Sequence, residues 1–579
     1  MMHYLLSYHS PHQHLLDIVY TIPNVSSDEL LVQLPAWRPG RYELGNFAQN
    51  IKTFQPKDSS GKKLRFEKVT KDCWKIFTKG AKTLHIEYSY FAGELNAGST
   101  YLDETQLFVN GVNCLLYVPN RMNEPCKLEL QIPKNYLVAT GLTKISAHRF
   151  SANDYHELVD CPFIASPSLQ SSHYTVHRTI FTVWFQGEVH PDWRKLLSDF
   201  KKFTEAYYKL FGSFPFREYH FLFQVLPDKF HHGVEHLNST VIALGPSHAL
   251  MNGHGYEDLL GISSHELFHA WNVKAVRPVE MMPYDYSREN YSRLGYVSEG
   301  VTTYYGDLLL LRSGVYTEEQ YLQTFNDLLE KHFSNFGRFN LSVADSSFDT
   351  WLDGYKQGVP GRKSSIYTEG ALCAFMLDII IRRLTRNKHS LDDVMRALYD
   401  EFGKQRKGYS EADYKMIAER IAGVPLDLYF KNFIWGTAPF VHELSNSLDF
   451  IGFELQKQNG SSFVARSLGF KTAEEGGKTV VTSIFPESPA DKSGLAVKDE
   501  IIAVNRVRVQ GDLNEWCRYF SNGKINFTVA SGRRVREISI SPDGNKYYLR
   551  YTIARHKEIT DVQRNNYRLW LLNTGVPVV

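Results

Sequence analysis

The chain has 579 residues, 43% hydrophobic and 22% charged, with a formal net charge of +2 at pH 7. That length predicts several domains with well-filled cores, and the near-neutral balance argues against nucleic acid or an anionic membrane surface as the main partner. Six scattered cysteines without a Cys-x-x-Cys pair exclude zinc-finger spacing and lend no support to a disulfide framework, and no apolar run approaches the roughly 18 residues of a membrane span.

The first residues, MMHYLLSYHSPHQHLL, lack a basic stretch followed by an apolar core, so the expectation is a cytoplasmic protein without a signal peptide. Residues 1–170 read as all-β: segments 30–34, 83–90, 128–132 and 136–140 carry β-formers separated by Pro, Gly and Asn turns, and 35–42 is a proline-punctuated turn. A β-sandwich-like domain is expected there. From 171 to 445 the pattern turns mostly helical. A strand at 176–185 leads to an amphipathic helix at 193–210 closed by Gly212. Strands at 219–225 and 240–243 then bracket a turn that carries His231, His232 and Gly233. Helices follow at 257–272, at 299–312 closed by Gly314, after the capping box Thr317-x-x-Gln320, and at 367–386. Two more open at Ser390-x-x-Asp393 and Ser410-x-x-Asp413. Residues 446–545 return to short strands with one helix, and 546–579 read as a tail. The class is multidomain α+β, and without repeats or a low-complexity linker the domains are expected to pack together.

The segment His265-Glu266-Leu267-Phe268-His269 carries the chemistry. On a helix, positions i and i+4 share a face, so both imidazoles can reach one zinc ion while Glu266 stands beside it as a base for water. A catalytic zinc wants a third protein ligand and an open position. Glu299, which opens the next helix between Ser298 and Gly300, is the candidate. The alternative reading of Glu299 is an acidic residue favoured by the helix dipole. Its competitors Asp285 and Glu289 lie in a loop that reads as solvent-facing. One Zn2+ per chain is expected. His231, His232 and His236 invite a second-metal reading, but one site is complete without them.

HELFHAWNVKAVRP, followed by RENYSRLGYVSEGVTTYYGDL, resembles the glycyl aminopeptidase family of zinc metallopeptidases. The resemblance extends upstream to LPAWRPGRYELGNFAQN and downstream to a PDZ-like region, and it implies a thermolysin-like catalytic domain at 171–445 with Glu299 as third ligand. Tyr367 in Ser-Ile-Tyr-Thr-Glu-Gly is similar to the Tyr-Glu-Lys-Gly motif of aminopeptidase-N-like enzymes, whose Tyr donates to the oxyanion; Glu369 stands where that motif has Lys. The segment His231-His-Gly233-Val-Glu235-His236 is similar to Gly-Ala-Met-Glu-Asn, which makes Glu235 the anchor of a substrate's free amine and Gly233 part of the substrate site. His236 replaces the Asn, and the glycine is displaced by one position. The resemblance implies peptide substrates with a free N-terminus and a preference for Gly, then Ala. Leu468-Gly469-Phe470 and the sequence 480–505 look like a PDZ domain, whose loop catches a C-terminal carboxylate; here the module can also serve as packing or as a lid. A zinc endopeptidase and a PDZ scaffold with an inactive peptidase domain remain the competing readings.

Overall fold

The computed structural model describes residues 1–356, 358–460 and 462–572. In the N-terminal region Met2–Ser7 and Leu15–Ile22 alternate buried and half-buried side chains, the period-two pattern of a sheet with one face on a core. They sit in a seven-stranded sheet, with Met2–Ser7 parallel to Cys126–Gln131 and antiparallel to Leu15–Ile22. A four-stranded and a three-stranded sheet close on the same core, where Tyr4, Ile18 and Ile86 meet Val32, Ile76 and Val109. This is the expected all-β architecture. All six cysteines are buried and free.

The central region begins with a five-stranded sheet in the order Gln170–Val176, Thr179–Gln186, Glu218–Val225, Ser239–Gly245, Phe230–Glu235. Its three inner strands are parallel and its edges antiparallel. The single strand expected at 176–185 is a hairpin. Its two-residue turn, His177-Arg178, takes positive φ at both positions, the mirror-image turn whose twist suits paired strands. The turn expected around His231 to Gly233 is likewise an edge strand.

Helices pack against this sheet. Gly253–His269 (the His265 helix) is buried along Leu259, Leu260, Leu267 and Phe268. It lies beside Thr302–Arg312, which a wide π-helical turn, Tyr296–Val301, precedes. Such turns recur at functional sites because they re-aim side chains, and this one carries Glu299. Glu318–Ser334 opens with the expected Thr317/Gln320 capping box, Glu411–Ala422 opens at Ser410 and Asp413, and Thr368–Thr385 begins just after Tyr367. The last helix of this body, Val441–Phe450, runs through the boundary expected at 445.

The C-terminal sheet runs Phe470–Glu475, Lys478–Ile484, Glu500–Val504, Ile525–Ser531, Arg534–Ile540 in spatial order, over a core of Leu468, Phe470, Val481, Val529 and Ile538. It is a PDZ-like sheet spliced into the helical body at both ends. Phe453–Gln458 pairs antiparallel with Arg550–Arg555, and the Ile553 amide donates to Asn326 Oδ1 at 2.8 Å. The segment expected as a tail instead returns as a helix, Asp561–Leu571. It buries Trp570 against Tyr304, whose hydroxyl accepts from the indole at 3.0 Å. No helix among the described residues is long and apolar enough to cross a membrane.

Candidate active site

His265 and His269 stand one turn apart on their helix, and their Nε2 atoms are 3.1 Å from each other. Glu299 Oε2 lies 3.4 Å from His269 Nε2 and 3.8 Å from His265 Nε2. Three atoms held tetrahedrally at about 2.1 Å from one ion would be about 3.4 Å apart, so this donor set fits a zinc-sized cation. His269 Nδ1 faces the Asn272 carbonyl at 2.8 Å, which fixes the ring with Nε2 toward Glu299. The Asn272 amide then donates to the Val297 carbonyl at 2.8 Å and to Thr302 Oγ1 at 3.1 Å, tying the end of the His265 helix to the turn that bears Glu299.

The electrostatics also ask for positive charge. Burial alone would raise the Glu299 carboxyl, yet His269 and His265 beside it hold it down to about 2. Burial would likewise lower His269, and Glu299 reverses that and lifts it to about 10. Glu266, 5% exposed, has one oxygen with no hydrogen-bond partner among the described residues. Burial lifts its carboxyl to about 8, with His269 opposing and Glu235 and Glu299 adding to the rise. A second group that could hold a metal, Glu235, Glu266 and His269, shares His269 with the first. His231, His232 and His236 belong to neither group. His236 turns away to Asp160 at 3.2 Å, and burial, then Arg38, pushes His232 down to about 3.

The edge strand Phe230–Glu235 forms one wall of a cleft of about 1170 Å³ that also exposes the triad, Gly40 and Tyr367. Gly233 is the point of closest approach: a Cβ there would stand 2.2 Å from Glu266 Oε1. A glycine inside a strand commonly marks such an approach, and Gly233 thus borders the Glu266 carboxyl. Glu235, 4% exposed, ends the strand. Gly40, at φ +83°, faces it so closely that a Cβ would lie 2.4 Å from Glu235 Oε2. From the same proline-rich turn Tyr42 reaches Glu299, its hydroxyl donating to Oε1 at 3.4 Å, and Arg38 approaches His232 at 3.4 Å. These N-terminal residues were missed as site residues. The available signal was the family-like stretch around the turn, which marked the segment but not its contacts.

The structure therefore brings His265, Glu266, His269, Glu299, Glu235, Gly233 and Tyr367 to one cleft. It keeps Leu468, Gly469 and Phe470 apart and buries them. The Gly469 amide already donates to the Val464 carbonyl at 3.0 Å, and a Cβ on Gly469 would stand 2.2 Å from Ser488 Cβ and 3.4 Å from the Tyr547 ring. The expected carboxylate loop is covered by its own chain.

Two histidines and a glutamate from neighbouring helices, with a buried carboxylate beside them and an edge strand along the cleft, define a metallopeptidase. Residues 3–167 match the Peptidase M61 N-terminal domain, 258–373 the M61 glycyl aminopeptidase, and 480–531 a PDZ domain. The chain belongs to the M61 glycyl aminopeptidase family. Among solved structures, an aminopeptidase N family protein from Idiomarina loihiensis is 25% identical, with a TM-score of 0.90 over 99% of this chain and 100% of that one. An M1 zinc metallopeptidase variant from Deinococcus radiodurans, bound to a Tyr-Ser-Ala substrate, is 12% identical with a TM-score of 0.48, covering 76% of this chain and 94% of its own. No curated protein matches the chain.

Proposed function

We propose that this metallopeptidase is a zinc aminopeptidase that removes single N-terminal residues, Gly and Ala foremost, with His265, His269 and Glu299 as ligands. One observation carries the exopeptidase reading: ligand atoms of Glu235, Glu266 and His269 lie within 4.8 Å of one another. The α-nitrogen and carbonyl carbon of one residue are about 2.5 Å apart. A carboxylate that close to the base leaves room for one residue between an anchored amine and the bond being cut. The turn carrying Gly40 lies close against Glu235 and limits the space around that carboxylate.

Zinc in this triad would supply positive charge that polarises the scissile carbonyl and lowers the pKa of a water toward about 7. Glu266 takes the proton from the attacking water and delivers it to the leaving amine. Tyr367 donates its hydroxyl to the carbonyl oxygen as that oxygen becomes an oxyanion. Glu235 accepts from the substrate ammonium in a charge-assisted hydrogen bond, which sets the register.

The deciding experiment compares Gly- and Ala-aminoacyl reporters with N-blocked peptides, with and without a chelator. We expect turnover of free amines only, lost on chelation and restored by Zn2+. Cleavage of blocked peptides would make the enzyme an endopeptidase, and absence of chelator-sensitive turnover would leave the scaffold reading. The covered loop at Leu468, Gly469 and Phe470 supports a packing role for the PDZ-like domain over peptide capture.

A further inference from the structure

Glu369 is a carboxylate at 2% exposure, two residues after Tyr367, and the mechanism above gives it no part. Its Oε1 lies 3.0 Å from Nδ1 of His332, itself 1% exposed on the helix Glu318–Ser334. Its Oε2 accepts the Ser365 amide at 2.9 Å. Ser365 Oγ in turn accepts the Thr368 amide at 3.2 Å. Together these bonds close a reciprocal cap around the bend 365–369, with Tyr367 at its centre. His332 cannot swing freely, because it stacks on Phe440 at 4.8 Å and 19°. On the other side of the same turn, Gly370 meets Gly300 so closely that a Cβ on Gly300 would stand 2.3 Å from the Gly370 Cα. Gly300 directly follows Glu299, so the bend is gripped between the metal triad and the His332 helix.

We propose that Glu369 and His332 are positioning residues that hold the Tyr367 hydroxyl at its place over the cleft. A buried, fully hydrogen-bonded carboxylate is costly to maintain and strongly directional. Here one oxygen is spent on the bend that carries the oxyanion donor and the other ties that bend to His332 on the neighbouring helix. The inference rests on the role given to Tyr367 above. Glu369 itself lies outside the cleft lining and acts through the bend.

The test measures kcat and KM on a glycyl reporter with the zinc-loaded full chain. The variants are Glu369→Ala, Glu369→Gln, Tyr367→Phe and the double variant Tyr367→Phe/Glu369→Ala. A displaced donor costs rate rather than binding, so Glu369→Ala should lower kcat about 10- to 100-fold and leave KM within about threefold. Glu369→Gln should stay within about threefold of wild type. Its amide oxygen keeps the Ser365 bond, and its NH2 faces His332 Nδ1 with the imidazole proton on Nε2. In the Tyr367→Phe background, Glu369→Ala should cost less than about twofold, because the group it positions is gone. An equal loss in both backgrounds, or an unchanged kcat in Glu369→Ala, overturns the proposal while Tyr367 keeps its role. A wild-type rate in Tyr367→Phe removes the oxyanion reading, and this proposal with it. If Glu369→Ala yields no folded protein, the same cycle runs with His332→Leu, whose side chain still covers Phe440.

Discussion

Glu266 shows how the site sets stability against chemistry at the scale of one residue. A buried carboxylate with an unpartnered oxygen is disfavoured in its charged form, and the rise of its carboxyl to about 8 expresses that. A cation held by the neighbouring triad would favour the ionised form, leaving an ionised carboxylate beside the cleft-lining Gly233. Glu266→Gln keeps the shape and removes the charge. We expect the variant to bind zinc stoichiometrically and to lose about 10²- to 10⁴-fold in kcat, the range of a positioned general base. The metal-free variant should melt no lower than wild type at neutral pH, since a neutral amide avoids the cost of protonating, on folding, a carboxyl that burial raises. Metal analysis beside steady-state rates checks this. A near-normal rate would move the base elsewhere, with Glu235 the nearest candidate.

At the scale of elements, the site depends on backbones that touch. Gly300 lies in the turn bearing Glu299 and Gly370 in the first turn of Thr368–Thr385, and neither leaves space for a Cβ. Gly300→Ala should therefore push these elements apart, with about 1–3 kcal/mol of destabilisation, as for overpacking. Zinc affinity should weaken as well, because Glu299 moves with the turn. Thermal melts and chelator competition measure the two effects. A loss of stability with unchanged affinity would show that the strain relaxes away from Glu299. What could be read from the sequence follows the same division between local and distant contacts. The spacing of His265 and His269 and the caps at Thr317 and Ser410 are local geometry, and they were legible. The His177-Arg178 turn was not, since it carries neither Gly nor Asn to announce a mirror-image turn. Phe230–Glu235 looked like a turn because its composition is His and Gly, while its strand character comes from pairing with Ser239–Gly245. The return of residues 550–571 onto the helical body, and the contact of Tyr42 with Glu299 across 257 positions, are tertiary events that no local pattern encodes.

At the scale of the whole molecule, the N-terminal domain completes the site and must be held in place to do so. Trp37 donates its indole N–H to the Asp285 carbonyl at 2.7 Å. Asp160 meets buried Lys274 at 2.7 Å and His236 at 3.2 Å, just beyond the strand that ends at Glu235. Burial on its own would raise the Asp160 carboxyl, but Lys274 and then His236 overturn this and hold it below the usual range. Lys274 is raised despite burial, chiefly by Asp160. The sign of the pH dependence follows. Asp160 contributes stability that is fully present above its unfolded pKa of about 4 and is lost as pH falls below it, whereas the Lys274 contribution is lost only in strong alkali. Lys274→Met leaves a half-buried carboxylate without its main partner and should cost up to about 3 kcal/mol at pH 7, the lower end for a broken buried pair. Asp160→Asn/Lys274→Met should recover part of that loss. Melting temperatures from pH 7 down to pH 3 provide the check: wild type should lose stability below about pH 4, and the double variant should follow a shallower acid limb. Parallel acid limbs for the two proteins would exclude this ion pair as the interdomain lock. If the lock is correct, Lys274→Met should also weaken discrimination between free and blocked peptides, because Gly40 and Tyr42 reach Glu235 and Glu299 from the domain that Asp160 fastens.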